Sequence, residues 1–406
     1  MSQSQIFIAR QPILDTDMQL FAYELRFLHG VFPNIELLEA TEALIKETEE
    51  KVGFEKVVGD NAVMLSLPTP LIRPETIHLF PKSKKTIIEV SKEVARSKEV
   101  LQNIKTLRQE HIELAIERFD GDDTSVKLAK ACQYALVDVE ALSERKLKQA
   151  VAQLHEMGLK VIATPVSTEE SYNYYKNLGF DYFQGYFFTQ PVSLEAGQAL
   201  SGNKLTLIEL LAKVNDEETD FDALAEIIGH DVTLMEKLLE AINRPSAMIP
   251  VKVETVKDAI KYMGLKRLKF WVNMLLLSNM QEIPQELIIT SLARAYFMEQ
   301  LAEKAGLAKE KDMFFLTGLF SNLNAFFKLP IDEIVSKMPL AEPIKEALVN
   351  KAGDMGEALK VLQAIERQQQ SITDLHYGNL GITELADLYL SSCAWAKEVT
   401  SPEIAD

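Results

Sequence analysis

The sequence predicts an α/β barrel followed by an all-helical domain, and three observations carry that prediction. The chain has 406 residues, too long for one typical domain and long enough for two well-buried cores. Its first half alternates short apolar runs with helix-period sequence, whereas from about Leu205 onward only helical segments follow. Repeated strand-helix units favour a parallel sheet, and this many of them favour a barrel closed on itself.

Eight runs supply the strands: "QIFIARQPI", "FAYELRF", "NAVMLSL", "KTIIEVS", "IELAIERF", "YALVDV", "LKVIATPV" and "YFQGYFF". Between most of them the spacing is helical; in Leu142 to Met157, for example, Leu147, Val151 and Leu154 share one face. A barrel of this kind places chemistry at the C-terminal ends of its strands. The second half, punctuated by "NRPSAMIPV", "MGLKRL", "EIPQE", "KLPID" and "DMGEA", reads as about ten helices. In Thr219 to Gly229, Phe221, Leu224, Ile227 and Ile228 form one stripe and a glycine closes the helix. The change of character near "SLEAGQALSGNK" divides the chain into residues 1–195 and 196–406.

Composition narrows the function classes. With 47% hydrophobic and 25% charged residues and no apolar run approaching ~18 residues, the chain reads as soluble and without a membrane span. The start "MSQSQIFIARQPIL" lacks the basic, apolar and small-residue regions of a secretory signal, so a cytoplasmic protein is expected. A net charge of -17 repels phosphate backbones and anionic lipid, which argues against nucleic-acid and membrane partners. Cys132 and Cys393 lie far apart with no ligand pattern around them and read as packed thiols.

The run "HIELAIERFDG" ends in Glu117-Arg118 just before a glycine-bearing turn, an acid and a base side by side at a strand end. Together with "ARQPI" and "AYEL" in Ala9 to Leu25, and "LGFDYFQGYFFTQPV" in Leu178 to Val192, it resembles the EAL family of cyclic di-GMP phosphodiesterases. The run "LLEAINRPSAMIPVKVETVKDAIKYMGLKRLK" in Leu238 to Lys269 resembles the HDOD domain, and the order of the two resembles EAL-HDOD signalling proteins over nearly the whole chain. The resemblance implies an N-terminal EAL-type (β/α) TIM-like barrel, shortened, with a C-terminal all-helical, HD-like domain.

An active EAL enzyme cuts a phosphodiester with metal ions held by a ring of carboxylates and one amide, since Mg²⁺ or Mn²⁺ demands several oxygen ligands. Matched position by position, the resemblance implies that Glu24, Glu89, Asp138 and Gln184 are retained, with Glu117 as a stand-in. The ligand asparagine is replaced by Met64, an aspartate by Arg118, the lysine by Leu136, and two glutamates by Thr164 and Ser167. Lys92 replaces a further acid and Leu28 the arginine that follows the first strand's glutamate. A thioether cannot replace an amide oxygen for a hard cation, and an arginine cannot coordinate one. These losses predict a catalytically inactive barrel with no metal, in which Arg118 pairs with Glu89 or Glu24 and relieves the repulsion among the remaining carboxylates.

The segment between Glu24 and Asn61 is short for the family. That implies a shrunken peripheral helix, a barrel incomplete on that side and an altered dimerisation surface, so a homodimer stays open. In the helical half, "FFLTGLFSNLNAFF" places Ser321-Asn322 where an HD phosphohydrolase would carry its His-Asp pair. The literal His230-Asp231 follows Gly229 and reads as a helix N-cap, not as a ligand pair. His376 reads as structural, and Lys266, Arg267 and Lys269 as a solvated face beside a core Trp271.

The expectation is therefore a signalling protein that works through unidentified protein partners in cyclic di-GMP-linked processes such as motility or biofilm. One alternative is a residual phosphodiesterase using Glu24, Glu89, Glu117 and Asp138 with Mg²⁺ or Mn²⁺. Another is a non-catalytic sensor of cyclic di-GMP or another nucleotide, less favoured because Leu28 removes an arginine and the chain is acidic.

Overall fold

The computed structural model describes residues 6–29, 35–80, 85–190, 202–216, 218–229, 232–243, 252–278, 280, 283–367 and 375–400. The expected boundary at residues 195 and 196 and the His230-Asp231 pair lie outside the described residues. Two compact units are present. The first comprises residues 1–190, 304–306 and 361–397, and the second residues 191–303, 307–360 and 398–406.

Each of the eight apolar runs carries one strand of the first unit: β1 (Ile6–Asp15), β2 (Leu20–His29), β3 (Ala62–Ser66), β4 (Thr86–Val90), β5 (Glu113–Ile116), β6 (Tyr134–Asp138), β7 (Lys160–Thr164) and β8 (Tyr182–Gln184). They close into a barrel in chain order. The barrel is complete on the side where the short segment implied a gap, and the connection from β2 to β3 contains a helix of 17 residues, Ile35–Lys51.

The sheet is mixed, because β1 runs antiparallel to both β2 and β8 while the other neighbours are parallel. The cause is local. Asp15 accepts the amides of Asp17 and Gln19 through Oδ1, which reverses the chain after β1 without the long crossover a parallel pair needs.

Alternation of side chains sorts the interior into layers. An apolar cluster of Ile13, Ala22, Met64, Ile87, Ala115, Tyr134, Leu136 and Ile162 fills the barrel interior. Outside, Glu144–Glu156 buries Leu147, Ala150, Val151 and Leu154, the stripe its periodicity predicts.

Residues 361–397 complete this unit. The hydroxyls of Tyr186 and Tyr389 lie 2.8 Å apart, and both donate to the Arg10 carbonyl, at 2.9 and 3.1 Å. Arg10 is itself buried, donates to the Val57 carbonyl and lies over the Tyr23 ring. Burial holds both tyrosine hydroxyls well above their ordinary pKa, so they remain neutral donors.

From Gly202 onward the described residues form eleven helices and no strand. In Phe221–Gly229, Leu224 and Ile228 are buried as the stripe predicts, but Phe221 is 46% exposed because it opens the helix, at the end of the stripe. Trp271 is buried, as expected. Lys269 does not sit on a solvated face; its ammonium donates to the Asp216 carbonyl at 2.9 Å, and burial lowers its pKa. The side chains of Lys266 and Arg267 lie outside the described ones. His376 is exposed beside a bridge between Tyr377 and Leu380. Cys132 and Cys393 are both free and buried.

Candidate functional site

The C-terminal strand ends gather three of the retained positions around a residue that the motif comparison passed over. Glu24 and Arg26 are two apart on β2, so both project into the barrel. Arg26 donates to Glu24 Oε1 from Nε at 2.9 Å and from Nη2 at 2.5 Å. The Gln184 amide at the end of β8 donates to the other oxygen, Oε2, of Glu24. Glu24, wholly buried, therefore has both oxygens bound by donors from this chain.

Glu89, on β4, lies 3.9 Å from Arg26 Nη2 and is buried, with neither oxygen in a hydrogen bond of good geometry. Burial raises its pKa well above the ordinary 4.5, the Glu24 and Glu117 charges add to the rise, and Arg26 and the Ser66 hydroxyl oppose it. The Arg26 pKa is raised as well, which favours its charged form: Glu24 raises it most, burial opposes, and Glu89 and Glu117 add to the rise. The guanidinium is thus a permanent cation among carboxyl groups, 27% exposed at the open end of the barrel.

Arg118 does not play the role expected of it. Its side chain is 75% exposed, and its Nε lies 3.5 Å from Glu117 rather than near Glu24 or Glu89. The reason lies in the backbone. β5 ends at Ile116, and it is Phe119 that turns inward, buried with its amide on the Leu136 carbonyl, which leaves Arg118 facing solvent.

The other positions are dispersed. Asp138 ends β6 and accepts the amides of Glu140 and Ala141, a turn-forming role. Thr164 ends β7 and Ser167 is exposed in the following loop. Lys92 bridges Asp120 and Asp122 at 2.6 Å each. The side chain of Leu28 lies outside the described ones.

A metal centre of the implied kind finds no matching donor set here. Met64 and Leu136 belong to the apolar cluster, Arg26 already holds Glu24, and Glu117 leans on Arg118. Among the described residues no three His, Cys, Asp or Glu side chains are grouped to hold a metal ion. The open oxygens of Glu89 and Gln184 alone fall short of octahedral coordination, and the fixed charge of Arg26 repels a cation placed beside it.

The helical half shows a parallel arrangement. Asn322 and Ser321 are buried, and both accept from Arg294 Nη1, on the helix Gln285–Lys304. Asn322 in turn donates to the Ser291 hydroxyl at 2.9 Å. The pair expected at a metal position is thus committed to a buried guanidinium.

Replacing Glu89 by glutamine tests the barrel electrostatics. A folded-state pKa raised above 4.5 contributes stability that is fully present below that pH and lost as pH rises toward the folded value. The wild type is expected to lose up to about 1.4 kcal/mol per pH unit across that window. Glu89→Gln removes the slope, so its stability relative to wild type should rise as pH increases above about 5 in paired urea unfolding curves. Parallel pH profiles would contradict the assignment.

The comparisons with known proteins agree with the architecture. The EAL domain family matches residues 75–191 and the HDOD domain family residues 204–334. Because the first match begins at residue 75, the correspondence of Glu24 and Met64 rests on their places in β2 and β3. Cyclic di-GMP phosphodiesterase CdgJ of Vibrio cholerae is 25% identical over 97% of this chain and 93% of its own length. An uncharacterized protein of Bacillus subtilis, YuxH, is 25% identical over 96% of this chain and 98% of its own. Klebsiella pneumoniae BlrP1, solved with calcium and cyclic di-GMP, shares 19% identity with a TM-score of 0.37, covering 46% of this chain and 55% of that one. The chain consists of an EAL domain followed by an HDOD domain, related to cyclic di-GMP phosphodiesterases.

Proposed function

We propose that this is a catalytically inactive EAL-HDOD signalling protein, cytoplasmic, acting through protein partners in cyclic di-GMP-linked processes such as motility or biofilm formation. The observation that carries the reading is the Arg26 guanidinium bound to Glu24 beneath the barrel mouth, with Met64 and Leu136 in the apolar cluster. Catalysis by this family needs metal-bound oxygen ligands acting as a unit, and loss of several members is not offset by those that stay. The guanidinium binds Glu24 and places a positive charge 3.9 Å from Glu89 without offering a Lewis acid. Partner binding is the activity such a scaffold retains.

The second reading, residual phosphodiesterase activity, is favoured by the name of the Vibrio cholerae relative. Purified full-length chain incubated with cyclic di-GMP and Mn²⁺ separates the two. No linear product is expected. Product that forms, and disappears in Glu24→Ala, would overturn the pseudoenzyme reading.

A further inference from the structure

The helical unit carries a shallow hollow of about 470 Å³, half open to solvent and lined by Leu205, Ile208, Glu209, Ala212, Lys213 and Lys337. The first five lie on one face of the helix Gly202–Asn215, at spacings of three and four residues. Its floor is apolar and its rim carries a few placed polar groups, the pattern of a site that holds an amphipathic ligand partly exposed. Leu205, at 38% exposure, is one of the large apolar side chains left open to solvent.

Charge singles the hollow out further. The chain has a net charge of -17, yet two ammonium groups meet at this rim, and neither Lys213 nor Lys337 forms an ion pair among the described residues. Glu209 stands one turn before Lys213 without pairing with it. Two ammonium groups and one carboxylate leave a single positive charge beside an apolar floor.

We propose that this hollow binds a medium-chain amphipathic monocarboxylate. The alkyl body lies on Leu205 and Ala212, above the buried Ile208, and the carboxylate sits between Lys213 and Lys337. Glu209 disfavours a second negative charge, so dianions are excluded. The site is independent of the barrel and of the reading given to it.

Calorimetric titration of the full chain with decanoate, and with decan-1-ol as the neutral analogue of equal length, tests the proposal. Decanoate should bind at one saturable site, about fivefold tighter than the alcohol, the upper range for exposed ion pairs. Lys213→Met/Lys337→Met, at two exposed positions, should keep alcohol binding and lose the preference. Ala212→Trp fills the floor and should abolish both. Absence of saturable decanoate binding, or a preference that survives in the double lysine variant, would overturn the assignment.

Discussion

Arg26→Met is expected to lower unfolding free energy by about 3 kcal/mol in urea titrations, the low end for breaking a buried ion pair, since the guanidinium is partly exposed. The cost arises from what is left behind. Glu24 is wholly buried, and without Arg26 its Oε1 loses both donors while Glu89 loses its nearest counter-charge. Desolvation of a carboxylate is then uncompensated, and the group must take up a proton or rearrange. Adding Glu24→Gln to Arg26→Met should recover part of the loss, because the charge that needed Arg26 is removed with it. A double variant as unstable as the single one would show that Arg26 acts through packing and not through Glu24.

Gly185→Ala is expected to be at least as damaging, at about 3–5 kcal/mol. Gly185 has φ of +142°, and a Cβ there would lie 2.2 Å from the Val166 carbonyl oxygen and 3.1 Å from its carbonyl carbon. No flexible side chain can yield, since the obstacle is backbone. The same turn bonds the Val166 amide to the Gln184 carbonyl and the Gly185 amide to the Pro12 carbonyl. A shift there displaces the Gln184 amide from Glu24 and loosens the seam where β8 meets β1. Thermal unfolding of Gly185→Ala beside wild type measures the loss; a midpoint within a degree or two of wild type would refute it.

The strands were legible because alternation and β-branched content are local signals, and each of the eight runs carries a strand. The expected parallel sheet is corrected at β1, which is antiparallel to both neighbours because the turn at Asp15 is too short for a crossover. What the motif comparison obscured was Arg26. It lies in "YELRF", and period-two spacing alone places it beside Glu24. Comparison with metal-ligand positions drew attention to Arg118, whose direction depends on β5 ending at Ile116, two residues before it, and on Phe119 taking the inward place. Residues 361–397 were not assignable to the barrel unit. Helical periodicity identifies Leu385, Ala386 and Tyr389 as a buried face but does not say against what they pack.

That returning segment bears on how the chain is made. Synthesis runs from the N-terminus, and early domains generally begin folding while the rest is still being translated. Tyr186 leaves the ribosome 203 residues ahead of the tyrosine that meets it, and Arg10 is made 379 residues ahead of the same partner. The first unit is thus begun first but completed only near the end of synthesis. A ribosome that stalls after residue 360 releases a barrel with Tyr186 and the Arg10 carbonyl uncovered, material for chaperones and proteases, not a working half-protein.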